Sequence, residues 1–251
     1  MLNKKIRIQR CFNKASKTYD NYGHMPIRIC KELLSRLKTL EKESAFDHET
    51  IVDFACGTGI STREINSTFS YKNLYAIDFC DSLLDEARKK VKNSNVMFIL
   101  ADFDDFLFSE NSIHFIFCNM GLQWSLNLKN TFAIFFHQLI RSGIMAFSIP
   151  LEGTFNELGE KSRNRFYQTD TIVNLLTTSG FSILSCQERS FSDTFDTIQE
   201  ALRSIKYIGA NCLIQRRKFG LSKKPILQSS CADKKSIALT YHIGFFVCKK
   251  I

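Results

Sequence analysis

The residues that could do chemistry in this chain are an acid, a glycine-spaced turn behind it, and further acids at strand-like intervals. Asp53 interrupts the apolar run Ile51-Val52-Asp53-Phe54, and Ala55-Cys56-Gly57-Thr58-Gly59 follows at once. Gly57 and Gly59 carry no Cβ, so the turn can be tight and a ligand can approach its backbone. Residues from Ile60 onward can open a helix, whose first N–H groups point at whatever lies over the turn. Asp78 ends the next apolar run, Leu74-Tyr75-Ala76-Ile77, and Asp102 follows the run Val96 to Leu100. A carboxylate at the end of a strand can accept from both hydroxyls of a ribose. A buried strand feeding a turn and a helix N-terminus is a cofactor-binding arrangement.

Two cofactor classes use such a turn. Dinucleotide enzymes want a third glycine three residues after the second, for helix–strand packing, and Thr62 stands there. The stretch Asp53 to Gly59 instead resembles the first motif of class I S-adenosylmethionine (SAM)-dependent methyltransferases. The remaining alternative is an ordinary strand-to-helix turn with no ligand.

The elements that must position these residues alternate. Residues 3 to 41 read as helical, with Ile27, Cys30, Leu33, Leu34 and Leu37 at three- and four-residue steps and Pro26 suited to a first turn. A charged linker, 41–50, precedes the first strand, 51–55, and a helix over 60–69. Strand 74–78 and helix 82–92 follow, the latter with Asp81 as its expected cap. Strands are expected at 96–100, 112–119 and 143–149, with a helix near 128–139. Beyond Pro150 come a helix over 169–178 closed by Gly180, a strand over 181–186, a helix over 195–208 and a last strand over 237–248. This alternation predicts an α/β fold with a parallel, doubly wound sheet, and ligands outside the carboxyl ends of its strands. The loop 56–59, Asp78, Asp102 and Asn119 all fall at those ends.

Composition narrows the class. The 251 residues are 44% hydrophobic, enough for a single domain over 1–251. Within it, 1–45 reads as an N-terminal helical lid, 46–150 as the cofactor-binding core and 187–235 as an inserted cap. Apolar runs are too short for a membrane span, and the basic N-terminus lacks the apolar core of a signal peptide. The nine cysteines form neither C-x-x-C nor a zinc-like spacing, so no metal is expected. Unpatterned thiols in odd number fit a reducing cytoplasm. The net charge is +9, and from Arg203 onward eleven basic residues face one acid, Asp233. That is either a solvated surface or a docking face for an acidic partner.

Taken over nearly its whole length, the chain resembles the BioC family, the malonyl-acyl-carrier-protein O-methyltransferases of biotin synthesis. The resemblance rests on Phe12-Asn13-Lys14-Ala15-Ser16-Lys17-Thr18-Tyr19-Asp20, the glycine loop, and Asn119-Met120-Gly121-Leu122-Gln123-Trp124. Asn164-Arg165-Phe166, residues 202–210 and Leu239-Thr240-Tyr241-His242 complete it, and these last three are the more specific. It implies a Rossmann-like, seven-stranded class I methyltransferase fold with N-terminal helices and a helical cap insertion. It also implies SAM as cofactor, S-adenosylhomocysteine as product and the free carboxylate of a malonyl thioester as acceptor. The ester disguises the malonyl group so that fatty-acid synthesis enzymes can extend it towards pimelate. Acyl carrier protein is acidic, which gives the basic C-terminal third a partner. Three departures stand out: Ala55 replaces a usual glycine and adds a methyl near the methionine end of SAM, a single Gly143 replaces a pair, and Asn211-Cys212-Leu213 is atypical.

Carried over residue by residue, the resemblance assigns the amino-acid part of SAM to Ala55, Cys56, Gly57 and Gly59. Asp53 either orients that loop or accepts from the ammonium. Asp78 takes the ribose and Phe79 lies against the adenine; Asp102, beside Phe103, either reads the exocyclic amine or is a cap or turn acid in the loop Asp102-Phe103-Asp104-Asp105. Asn119 lies near the reactive centre, Trp124 either walls the acceptor pocket or belongs to the core, and Tyr19 is either a lid residue over SAM or a core tyrosine. Arg165 is either the partner of the acceptor carboxylate, as a guanidinium can be, or a member of a surface salt bridge. His242 is either a second polar contact or a satisfied strand histidine. A carboxylate is already ionised near neutral pH, so no general base is needed. Alignment and water exclusion should supply the catalysis.

Other readings are a small-molecule methyltransferase, a nucleic-acid methyltransferase acting on tRNA, and a non-catalytic SAM-binding module. Base-methylating enzymes usually carry an Asn/Asp-Pro-Pro-aromatic motif where this chain reads Asn119-Met120-Gly121-Leu122, so a nucleic-acid substrate is not expected.

Overall fold

The computed structural model describes residues 2–43, 46–160, 162–214 and 236–251. Its centre is a seven-stranded sheet ordered β3-β2-β1-β4-β5-β7-β6. The strands are β1 (Thr50–Phe54), β2 (Asn73–Asp78), β3 (Val96–Leu100), β4 (Ile113–Asn119), β5 (Leu139–Pro150), β6 (Phe181–Phe195) and β7 (Ile237–Lys250). The first five pair in parallel, and β7 runs antiparallel between β5 and β6. Strand order reverses between β1 and β4, which opens a crevice at their carboxyl ends.

The central strands are continuous apolar runs because both of their faces are covered. Phe115, Ile116, Phe117 and Cys118 of β4 are all fully buried. One face packs under α3 (His24–Glu43), α4 (Ile60–Thr68) and α8 (Ile198–Tyr207). In α3, Ile29, Cys30, Leu33, Leu34 and Leu37 form the buried stripe. The other face packs under α6 (Leu128–Gln138) and α7 (Thr169–Thr178), where Phe54 stacks on Phe135 with centroids 4.6 Å apart. Two further helices, α1 (Leu2–Ala15) and α2 (Tyr19–Tyr22), lead into α3. α5 (Asp81–Lys90) lies between β2 and β3.

Several boundaries differ from expectation. β6 does not stop at Cys186. Its pairing with β7 runs from Phe181↔Lys250 to Phe195↔Ile237, so residues 187–195, expected in the cap, are strand. β7 satisfies that backbone even where the side chains of residues 187–190 are exposed. The helix after it begins at Ile198, where Thr197 caps it by accepting from the Glu200 N–H. Asp81 is the first residue of α5 rather than its cap, which is Cys80. The rest of the expected cap, from 215 to 235, lies outside the described residues. Among the described residues no helix is long and apolar enough to cross a membrane.

Candidate active site

The turn after β1 is held from below. The Cys56 N–H donates to the Ile77 carbonyl (3.0 Å), and the Gly59 N–H donates to the Cys56 carbonyl (2.9 Å). Cys56 itself is buried, so only its backbone can face a ligand. The two glycines do different work. A Cβ on Gly57, at φ +57°, would meet nothing within 4 Å among the described residues, so they leave the space above it open. A Cβ on Gly59, at φ +81°, would press on Ala87 at 3.0 Å and Val91 at 3.3 Å. Gly59 therefore serves the packing of α5, and Gly57 marks where a ligand can come close.

Asp53 is fully buried beneath this turn. Its Oδ2 accepts from Ser61 Oγ (2.7 Å) and Thr62 Oγ1 (2.6 Å), while Oδ1 has no partner among the described residues. The pair fixes the first turn of α4 under the loop, and Thr62 has a polar task where a dinucleotide fold would want glycine. Burial pushes the Asp53 carboxyl up to about 7, against the pull of Thr62 and Ser61.

Asp78, at the end of β2, accepts from the N–H groups of Gly57 and Cys80, each at 2.9 Å. Burial raises it to about 6, and those two N–H groups oppose the shift. Tyr19 reaches the same place from α2. Burial, then Asp78, then Asp20 hold its phenol protonated far above the ordinary range. Asp20 accepts from Thr58 Oγ1 (2.6 Å) within the glycine loop and pairs with Lys90 of α5. α2 is thus latched to the loop it covers.

Phe79, Asp102 and Phe103 converge, together with a residue that sequence reasoning missed. The Lys5 ammonium lies 2.8 Å from Asp102 Oδ1 and 2.8 Å from Asp104 Oδ2. It sits 4.7 Å from the ring centre of Phe103 and 5.5 Å from that of Phe79. One helical turn on, Gln9 Nε2 donates to the Phe79 carbonyl (2.5 Å). Burial would raise Asp104, but Lys5, Thr131 and the Leu126 N–H more than offset it and hold its carboxyl below the usual range. The acid-free N-terminus was the available signal. Nothing local tells which carboxylates it would meet.

The stretch after β4 is tied down. Asn119 Nδ2 donates to the Pro26 carbonyl (3.1 Å), and Asn119 Oδ1 accepts from Ser148 Oγ (2.8 Å). Asn119 therefore pins the start of α3 to the sheet. Ala55 has φ +55°. A Cβ on Gly121 would fall 2.5 Å from the Ala55 methyl and 2.7 Å from Cys118 Sγ, so Gly121 makes room for the methyl that Ala55 adds.

Trp124 is buried against α1, in a cluster with Ile8 and Cys212 and in edge contact with Phe12 at 5.3 Å. Asn164 joins the same neighbourhood: its Nδ2 donates to the Cys212 carbonyl (2.9 Å), and its Oδ1 accepts from the Ile214 N–H (2.8 Å). Arg165 is next to it and exposed. His242 is a satisfied strand histidine, with Nδ1 3.0 Å from Ser190 Oγ and Nε2 2.7 Å from Glu188 Oε2.

Open space over Gly57, a buried acid at the end of β2 and an aromatic–carboxylate cluster past β3 fit an adenosyl cofactor with an amino-acid tail. Among the described residues no group of side chains could hold a metal ion.

Comparison with known proteins agrees. A family model described as a methyltransferase domain matches residues 51–143. The chain is 51% identical over 248 residues to a malonyl-[acyl-carrier protein] O-methyltransferase 2 of Coxiella burnetii, covering 98% of this chain and 97% of the relative. It is 29% identical over 225 residues to a malonyl-[acyl-carrier protein] O-methyltransferase of Bacillus cereus, covering 84% and 82%. Among solved structures, a putative methyltransferase from Bacillus halodurans matches with TM-score 0.58 at 15% identity, covering 86% of this chain and 99% of that one. At that identity the likeness concerns the fold.

Proposed function

The chain belongs to the malonyl-[acyl-carrier protein] O-methyltransferases, and from that premise we propose that it methylates the free carboxylate of a malonyl thioester on acyl carrier protein. When bound, SAM supplies an activated methyl group on its sulfonium. The observation that carries the reading is the convergence of Gly57, Asp78 and Asp102 at three strand ends, in a chain so close to a relative of that name.

Asp78 is the acceptor for the ribose hydroxyls, with Gly57 and Cys80 fixing its carboxylate. The backbone of Ala55 to Gly57 lies along the amino-acid tail. Asp53 is a positioning residue that acts through Ser61 and Thr62. Phe79 and Phe103 flank the adenine, and Asp102 accepts from its amine. Tyr19 covers the cofactor from α2. Arg165 holds one oxygen of the acceptor carboxylate and leaves the other to react. Trp124 and Asn119 act through placement, the first by supporting α1 and the second by anchoring α3. A malonate carboxylate needs no base, so orientation and exclusion of water are what these residues contribute.

The reaction belongs to a reducing cytoplasm, and all eight cysteines among the described residues are free. The docking face is expected on the C-terminal third, most of whose basic residues lie outside the described residues. Arg203 and Lys206 of α8 are exposed, but Lys250 is buried, with its ammonium on Asn111 Oδ1 and the Leu139 carbonyl. Residues 216–235 lie outside the described residues.

Methyl-labelled SAM offered with malonyl-carrier protein, malonyl-CoA or tRNA tests the reading. Label on the malonyl thioesters supports it. Label on tRNA alone, or SAM binding with no transfer to any acceptor, overturns it.

A further inference from the structure

α1 presents two chemically different faces. Lys5, Ile8, Gln9 and Phe12 point inward, to Asp102, the Trp124 cluster, the Phe79 carbonyl and the Trp124 ring. Lys4, Arg7, Arg10 and Lys14 recur at three- and four-residue steps on the other side, and all four are exposed. Residues 2–19 contain six basic residues and no acid. Arg7 donates to the Leu213 carbonyl. Among the described residues no carboxylate pairs with Lys4, Arg10 or Lys14.

A helix gains nothing by itself from this pattern. Like charges at such spacing repel one another, and cations in a first turn oppose the helix dipole. The arrangement becomes favourable when an anionic surface lies against it. A further exposed cation lies near the end of the helix. A Cβ on Gly209 would fall 2.7 Å from Phe12 Cα, and Thr18 Oγ1 donates to the Tyr207 carbonyl (2.8 Å). These contacts set the end of α8, which carries exposed Lys206, against the end of α1.

We propose that the outer face of α1, with Lys4, Arg10 and Lys14 at its centre, is the docking surface for the acidic carrier protein that brings the malonyl thioester. This rests on the proposed function. A tethered acceptor must be delivered from close to the cofactor site, and the inner face of this same helix covers that site. Charge complementarity at the rim acts on encounter and is weakened by salt.

The test uses the full chain with Lys4, Arg10 and Lys14 all changed to Glu, beside a milder triple change to Gln. The expected result with Glu is a rise of about tenfold or more in KM for malonyl-carrier protein and a flatter salt dependence. Gln should give a smaller rise in the same direction. Malonyl-CoA turnover and S-adenosylhomocysteine affinity should stay within about twofold, since a rim charge acts mainly on encounter with its own partner. Equal losses with both thioesters, or no loss with either, would overturn the proposal. Fluorescence anisotropy of labelled carrier protein reads the surface without turnover. Native binding that Glu abolishes supports docking even if no methyl is transferred, a result that would instead count against the proposed reaction. Binding of tRNA in place of carrier protein would overturn the docking proposal.

Discussion

Lys5 and Asp102 are 97 residues apart in sequence, and the ammonium of one lies 2.8 Å from the carboxylate of the other. The ammonium lies over the two phenyl rings proposed to flank the adenine, so on that proposal a cation occupies part of the cofactor site. Lys5→Met removes a competitor for Asp102. S-adenosylhomocysteine should then bind about three- to tenfold more tightly by calorimetry, roughly the worth of one part-buried ion pair. Weaker binding would make Lys5 a cofactor ligand instead.

Ala55 and Gly121 form a fitted pair. An L-residue at φ +55° is strained, so Ala55→Gly should stabilise the protein by about 1 kcal/mol. Gly121→Ala should cost about 1–3 kcal/mol, because its methyl would meet those of Ala55 and the sulfur of Cys118. Ala55→Gly in that background should recover part of the loss. Thermal unfolding of the four proteins of this cycle gives the coupling, and strict additivity would contradict the contact.

The reach of sequence reasoning follows from what is local. The loop 55–59, Asp78 and Asp102 were legible because strand–turn–helix rhythm places them at one sheet edge. Lys5, Gln9, Asp20 and Thr58 were not, since their partners depend on how α1 and α2 lie across that edge. The outer half of β6 was also hidden. Gln187, Glu188, Arg189 and Ser190 read as an insertion, and only their pairing with β7 makes them strand. Asn119 was legible in position but not in role, because its partners lie in α3 and β5.

pH should move stability and binding in opposite directions. The Asp53 and Asp78 carboxyls stand at about 7 and about 6 in the folded chain, against an ordinary 3.8. A carboxyl raised by folding contributes stability that is fully present below its unfolded value and lost as pH rises through the folded one. The Tm of the free protein should therefore fall between about pH 4 and 7 on account of these two groups. Asp53→Asn keeps an acceptor for Ser61 and Thr62 and should flatten that fall by a few degrees, roughly. Cofactor binding should tighten over the same interval as Asp78 ionises. A Tm fall in Asp53→Asn as steep as in the native chain would contradict the assignment.

Arg165 is exposed beside Asn164, whose amide is fixed to the Cys212 carbonyl. Arg165→Ala should raise KM for malonyl thioesters about tenfold or more while S-adenosylhomocysteine affinity holds, as expected for a lost charged hydrogen bond. Arg165→Lys should recover only part of it, because an ammonium lacks the planar fork. An equal fall in cofactor affinity would remove Arg165 from the acceptor site.

The central claim concerns the acceptor atom, and intact-protein mass spectrometry tests it most directly. Malonyl-carrier protein and acetyl-carrier protein are each incubated with the enzyme and SAM. Malonyl-carrier protein should gain the mass of one methylene, and mild alkaline hydrolysis should release the methyl as methanol. Acetyl-carrier protein, which lacks the free carboxylate, should remain unchanged. Methylation of both carriers, or of neither, would contradict transfer to the malonyl carboxylate.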